Sequence, residues 1–154
     1  MIQIIRLLQF VPAELGGLVT ESESQEFAFL RRLITDWDAG TNRFALEGEA
    51  LFAAQERGII VGICGLNVDP YASDRGIGRV RHLYVLASRR RQGIGKRLVT
   101  QVIVSATRSF RMLRLRTDSA AAAAFYEALG FEPCTDAACS HRLLLHRDNT
   151  LPKN

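Results

Sequence analysis

The stretch best equipped for chemistry is Arg90-Arg91-Gln92-Gly93-Ile94-Gly95-Lys96. It stands between an extended apolar run ending at Leu86 and an amphipathic run reaching Ser109. A turn that enters a helix aims unpaired backbone amides and the positive end of the helix dipole at one point, which suits a phosphate. Gly93 and Gly95 lack a Cβ, so an anion can come close to the main chain. Arg90, Arg91 and Lys96 add charge, and arginine can grip phosphate oxygens through two parallel hydrogen bonds. The turn is not a P-loop, since no Gly-Lys-Ser or Gly-Lys-Thr closes it. Nor is it a GxGxxG fingerprint, since Leu98 stands where the third small residue belongs. By itself, a basic GxG turn is equally an ordinary strand-to-helix connection with surface arginines.

Other reactive side chains carry weaker signals. His82 titrates near neutrality, but strand alternation turns it away from the face of Leu83 and Val85, so a structural role is expected. Glu47 and Glu49 precede the first hairpin and read as solvated acids, within water-mediated reach of a site at best. Cys64, Cys134 and Cys139 make an odd count without a CxxC pair. They read as reduced packing thiols rather than a disulfide framework or a zinc site, and no metal is expected.

These residues need a scaffold. Ile2 to Leu8 reads as a strand, and Pro12 opens a helical stretch. Ser24 is placed to cap a second helix in which Phe27, Leu30, Ile34 and Trp37 recur at helical spacing, ending at Asp38-Ala39-Gly40. Ala50 to Gln55 and Gly58 to Asn67 form a hairpin turning at Glu56-Arg57-Gly58. Arg79 to Leu86 is a strand, Gly93 to Ser109 a helix, and Arg111 to Thr117 a strand by its period-two alternation. Ser119 to Leu129 is an alanine-rich helix stopped by Gly130. Phe131-Glu132-Pro133 and His141 to His146 supply two last strands. The order β-α-α-β-β-β-α-β-α-β-β predicts an α/β (α+β mixed sheet) fold with helices on its faces.

The bulk properties agree with one domain spanning 1–154. The chain has 154 residues, 47% hydrophobic and 23% charged, which argues against wholesale disorder. No apolar run approaches the roughly 18–20 residues of a bilayer span. The N-terminus lacks a secretory pattern, so a cytoplasmic location is expected and no membrane partner. The net charge of +4 hides a segregation. Arg75 to Arg116 holds twelve basic residues and no acid, whereas Met1 to Asp74 nets −6. Such asymmetry suggests that one segment meets an anion: a phosphorylated small molecule, nucleic acid, or only solvent.

Two longer motifs sharpen the choice. Leu83-Tyr84-Val85 leads into the Arg90–Gly95 turn, and Phe125-Tyr126-Glu127-Ala128-Leu129-Gly130-Phe131 follows downstream. In that order and separation they resemble the GNAT superfamily of acyl-CoA-dependent N-acyltransferases. The resemblance implies a central mixed, mostly antiparallel sheet, splayed to hold CoA and flanked by helices. Acetyl-CoA would enter as co-substrate between the Arg79–Leu86 and Arg111–Thr117 strands. Its pyrophosphate would sit on the amides of Gln92, Gly93, Ile94, Gly95 and Lys96, with Arg90 and Arg91 beside it. Its pantetheine arm would pair with Leu83, Tyr84 and Val85 like an added strand. Ser119 stands where many members have an Asn that contacts the cofactor, and can still donate a hydrogen bond.

The resemblance also implies a reaction. A small-molecule or peptide amine attacks the thioester carbonyl, a strand amide near Val85 steadies the oxyanion, and Tyr126 protonates the CoA thiolate. Phe125 and Leu129 are then the pair expected to face the core. Where many members carry a Glu as general base, this chain has Arg79, Arg81, Arg114 and Arg116. An acceptor can then lose its proton to bulk water. Trp37, read chiefly as core, and Asp36, Asp38, Asn42, Arg43, Phe44, Asn67, Asp69 and Tyr71 are expected around the acceptor; the acids favour an amine, whereas the strand arginines could instead seat a carboxylate, as of an amino acid or peptide. Two other classes stay open: a catalytically silent acyl-CoA sensor of the same fold, and, less favoured, a nucleic-acid-binding module using the basic segment. A homodimer is compatible with the resemblance.

Overall fold

The computed structural model describes residues 1–10 and 12–146; the end of the expected 1–154 domain, residues 147–154, lies outside the described residues. Seven strands form one sheet in the order β1-β2-β3-β4-β5-β7-β6. They are β1 (Ile2–Arg6), β2 (Ala50–Glu56), β3 (Ile59–Val68), β4 (Ile77–Val85), β5 (Met112–Leu115), β6 (Glu132–Pro133) and β7 (His141–Leu144). Four helices interleave: α1 (Gly16–Ser24), α2 (Phe29–Asp38), α3 (Ile94–Ala106) and α4 (Ala120–Ala128). The element order is the one expected from the sequence, and only the β4–β5 pairing is parallel.

Alternation along the strands builds a core on each face of the sheet. Leu51, Ala53, Ile63 and Tyr84 face α1 and α2, where they meet Leu15, Leu18, Leu30 and Leu33. Val61, Leu66, Val80 and Leu113 face α3 and α4, where they meet Leu98, Val102 and Tyr126. The expected cap at Ser24 is not made: α2 begins at Phe29 with no side-chain cap, and Ser24 ends α1. The Ser22 and Ser24 hydroxyls instead donate back to the carbonyls of Val19 and Glu21 at 2.9 and 2.6 Å. Short hydroxyl side chains readily serve a helix this way.

The feature that shapes the site is where β4 and β5 part. Their ladder runs only from Ile77↔Met112 to Arg79↔Arg114, although β4 continues to Val85. Strand alternation places Arg79 and Arg114 side by side on one face, and both are buried. The fully buried carboxylate of Asp69 holds the two, 3.4 Å from Arg79 Nη1 and 2.9 Å from Arg114 Nε. Beyond that clamp β4 carries a bulge: Ile63 to Gly65 of β3 spans Tyr84 to Arg81, one residue more. The extra residue leaves His82 at φ 60°, in the left-handed region. A bulge adds twist and bends its strand, which turns the end of β4 away from β5.

Asp69 was expected near the acceptor and is instead a structural counter-ion, because its side chain is enclosed between two guanidiniums. Asp69→Asn is expected to cost about 3–5 kcal/mol in urea unfolding, since it leaves two buried cations short of charge. Asp74→Asn, which breaks the solvent-exposed pair with Arg111, should cost no more than about 1 kcal/mol.

Candidate active site

The parting of β4 and β5 opens a cleft of about 940 Å³. Leu86 N–H donates to the Val61 carbonyl at 2.9 Å, so by alternation the Val85 N–H and C=O point the other way, into the cleft. Leu83, two residues earlier, shares that orientation. Leu83, Tyr84 and Val85 thus present an edge that β5 does not pair, beside the cleft, as a pantetheine arm would need.

The phosphate turn follows at the mouth. Arg91 and Gly93 both adopt left-handed backbone, at φ 65° and 76°, and Gly93 is the N-cap of α3. The first helical bond runs from Arg97 N–H to the Gly93 carbonyl at 3.0 Å. The amides of Ile94, Gly95 and Lys96 therefore have no partner within the helix. Gly95 lies under the Phe125 ring, which a Cβ would approach to 3.5 Å. Gln92 is exposed, and of the residues expected here it alone does not line the cleft.

Arg90 does more than add charge. Its Nε donates to the Val85 carbonyl at 3.0 Å, and its guanidinium lies 5.3 Å from the centre of the Tyr84 ring. The Tyr84 hydroxyl donates to Glu21 at 2.7 Å, and the same carboxylate accepts from Ala87 N–H. That hydrogen bond, aided by Ala87 and Arg90, holds the Glu21 carboxyl below its ordinary pKa. Burial and Glu21 push the Tyr84 phenol up to about 12. Glu21 thus ties α1 to the end of β4, a link with no local signature in the sequence.

On the other wall, Ser119 caps α4 by accepting from Ala122 N–H at 3.2 Å. Its hydroxyl hydrogen is free to donate into the cleft it lines. Tyr126 is buried, with its ring edge-to-face with Phe125 and Phe131 at 5.1 and 5.5 Å. Phe125 and Leu129 pack against the core as expected but are only half-buried; Tyr126 is the more enclosed, and Phe125 and Tyr126 both line the cleft. The cause is α4 docking across the start of α3, which seats Phe125 on Gly95. Burial, with the Cys64 thiol nearby, drives the Tyr126 pKa well up, so the phenol stays protonated. Burial also raises the Cys64 thiol to about 12, which leaves it inert near neutrality.

At the far end the cleft meets α2. Here the sequence reading placed mostly the wrong residues. Asn42, Asn67 and Glu49 form a buried or half-buried network instead: Glu49 accepts from Leu46 N–H, Asn67 and Val68 N–H at 2.9–3.0 Å. Glu49 is therefore not a solvated acid, because those donors fix it under the sheet. Of the expected acceptor residues, only Tyr71 lines the cleft. The wall consists of Phe27, Phe29, Arg32, Arg81 and His82. The one sequence signal for it is Phe27, exposed in the structure, which the helical stripe absorbed. Among the described residues no Asp or Glu lines the cleft, so its polar walls are cationic or neutral.

Cys134 and Cys139 also depart from expectation. They are disulfide-bonded, with Cα atoms 6.6 Å apart, whereas Cys64 is free and buried. The turn between β6 and β7 brings them together, a proximity that a search for CxxC spacing misses.

His82 is 9% exposed, and neither ring nitrogen has a hydrogen-bond partner among the described residues. Its ring packs near Phe29 and Phe44. Burial, and then the charge of Arg81, lowers its pKa to about 3. The native state thus refuses a proton that the unfolded chain accepts below its ordinary value near 6.5. Between those values the unfolded state binds more protons, so stability falls as pH falls. About 2 kcal/mol should be lost from pH 6.5 to 5 through this group. His82→Asn, which tolerates the left-handed backbone, should remove most of that slope in urea unfolding at the two pH values.

The chain matches the family model described as an acetyltransferase (GNAT) domain over residues 47–133. Among solved structures, a protein of Exiguobacterium sp. 255-15 described as an acetyltransferase is similar, with TM-score 0.84, 26% identity, and 94% and 93% of the two chains covered. A GNAT-family acetyltransferase of Staphylococcus aureus Mu50 has TM-score 0.71 and 20% identity over 92% and 96% of the two chains. A Salmonella typhimurium protein described as an acetyltransferase, solved with its cofactor acetyl-CoA, has TM-score 0.69 and 14% identity over 98% of each chain. No curated protein matches the chain. A family match over more than half of the chain, with the same fold along nearly all of it, makes this chain a member of the GNAT acetyltransferase family.

Proposed function

We propose that the chain transfers an acetyl group from acetyl-CoA to the amine of a small-molecule or peptide acceptor. The observation that carries this reading is the continuity, in one cleft, of a strand edge that no strand pairs and a helix start whose first amides no helical carbonyl pairs. The free edge of Leu83–Val85 runs into the unpaired amides at the start of α3, with Tyr126 on the opposite wall. The edge suits the amide-bearing arm of CoA, and the helix start with Arg91 and Lys96 suits its pyrophosphate.

In this reading the acceptor amine attacks the thioester carbonyl carbon. A C–N bond forms, and the carbonyl electrons move to oxygen, where the Val85 N–H is aimed. Collapse breaks the C–S bond, and the sulfur leaves with the electron pair. Tyr126, held protonated by burial, donates its hydroxyl hydrogen to that sulfur and regains a proton from solvent. The proton lost by the nitrogen goes to water, since among the described residues no carboxylate lines the cleft and His82 is too weak a base. The surrounding cations favour the uncharged form of the incoming amine, which substitutes in part for a general base.

That lack of a carboxylate is also the observation favouring the second reading, a silent acyl-CoA sensor. Release of CoA thiol from acetyl-CoA across a panel of amines separates the two: turnover supports the enzyme, and binding without release supports the sensor. Acetyl-CoA at a hundred times its Kd should stabilise the fold by about 2.7 kcal/mol, read as a rise in Tm. Tyr126→Phe should lower kcat by about a hundredfold or more while leaving CoA affinity within a few-fold. The enzyme reading also sets a pH profile. The value of kcat/KM should climb tenfold per pH unit up to the pKa of the free acceptor amine. It should show no inflection near 6.5, since His82 is already neutral there.

A further inference from the structure

Resting on that reading, we propose that the acceptor is an amine that also carries a carboxylate and an aromatic group, an aromatic α-amino acid being its simplest form. Three sets of observations at the α2 end of the cleft converge on this chemistry.

The first is charge without a counter-ion. Most basic residues of the segment from Arg75 to Arg116 that reach the cleft already have an acid: Arg79 has Asp69, Arg89 has Glu56, Arg90 has Glu21 and Arg116 has Asp118. Arg81 and Arg32 line the same wall and form no ion pair with a described residue. They come from different elements, β4 and α2, yet both act electrostatically on His82 between them. Arg81 opposes Gly65 and Val85 opposes Gly62, three residues apart on β3, roughly 10 Å along the sheet at about 3.3 Å per residue. It is therefore set back from the phosphate turn, on the side where an acceptor enters. Two unpaired guanidiniums lining one wall of the cleft offer an anion seat, and a carboxylate fits their fork geometry.

The second is a polar side chain left poorly satisfied. His82 is nine-tenths buried and faces this wall; the Phe29 backbone is its polar neighbour, but neither ring nitrogen makes a well-formed hydrogen bond with a described residue. A buried polar group in a native fold is ordinarily satisfied. A bound carboxylate would accept the one N–H of the neutral ring. The strained backbone at His82 places the ring there, at φ 60°.

The third is uncovered aromatic surface. Phe27 is 47% and Tyr71 61% exposed, and Phe27 and Phe29 stack at 5.7 Å beside the same pocket. Rings left open at the mouth of a cleft mark where a flat apolar group docks. The same cations that seat a carboxylate repel polyamines and other multiply charged amines. The transfer itself is unchanged: the C–N bond forms, the C–S bond breaks, and the displaced proton goes to solvent.

The test uses L-phenylalanine against phenethylamine, which differ only in the carboxylate, with spermidine as a third acceptor. In the acetyl-CoA-loaded protein, CoA thiol release with phenylalanine should exceed that with phenethylamine by at least tenfold in kcat/KM, and spermidine should be poor. Arg81→Met and Arg32→Met should each reduce the phenylalanine value about tenfold or more, mainly through KM, so that its advantage over phenethylamine shrinks at least five-fold. A calorimetric arm works without turnover: CoA-loaded protein should bind N-acetyl-phenylalanine at least tenfold more tightly than N-acetyl-phenethylamine. Equal handling of each pair, or a preference for spermidine, overturns the acceptor proposal while leaving the transferase intact. Discrimination in the calorimetric arm with no thiol release from any amine overturns the transferase reading instead and keeps the anion seat.

Discussion

Two arginines placed opposite each other on adjacent strands would ordinarily drive the strands apart. In this protein the repulsion is controlled by one enclosed carboxylate, Asp69, which bridges Arg79 and Arg114 where the β4–β5 ladder ends. The clamp fixes the last point at which the two strands touch, and the bulge at His82 then bends β4 away. Everything the cleft offers lies beyond that point: the free edge, the aimed Val85 groups, and the turn into α3. A hydrophobic pair at the same register would hold the strands as well. The ionic version marks one register, because a slip of a single residue would send an arginine into the apolar layer under α3.

A second linkage sets the angle of the phosphate turn. Glu21 accepts from both the Tyr84 hydroxyl and Ala87 N–H, and Arg90 reaches back over the same ring to the Val85 carbonyl. One acid from α1, one phenol from β4 and one guanidinium from the turn therefore brace each other. Helix α4 completes the cleft from the other side, where Phe125 seated on Gly95 brings Tyr126 to the wall. Both walls are fixed before any ligand arrives, which favours electrostatic assistance in the transition state.

Much of this was legible in the residues. The period-two runs, the proline and glycine stops and the GxG turn reproduce the element order, and the two motifs locate the turn and Tyr126. The acceptor end was not legible, for a physical reason. Asp69, Glu49 and Asn67 are short polar residues near loops, and nothing local distinguishes a polar side chain aimed at a ligand from one enclosed among backbone donors. His82 shows the converse. Alternation places it rightly on the face opposite Leu83 and Val85, beside Phe29 and Phe44, but the bulge that leaves it at φ 60° has no local signature. The cysteine pair failed similarly, since a turn rather than a spacing rule sets their proximity.

The charge segregation along the chain has a topological consequence. The acids of the first seventy-odd residues neutralise bases of the following segment across the fold: Glu21 with Arg90, Glu56 with Arg89, Asp69 with Arg79 and Arg114, Asp74 with Arg111. The border between the acidic and basic parts falls in the exposed loop joining β3 to β4. A break of the chain in that loop would therefore yield two polyions of opposite sign that share a central hairpin. Their reassembly would be guided by long-range attraction and slowed by salt, so the primary sequence carries its own complementation system.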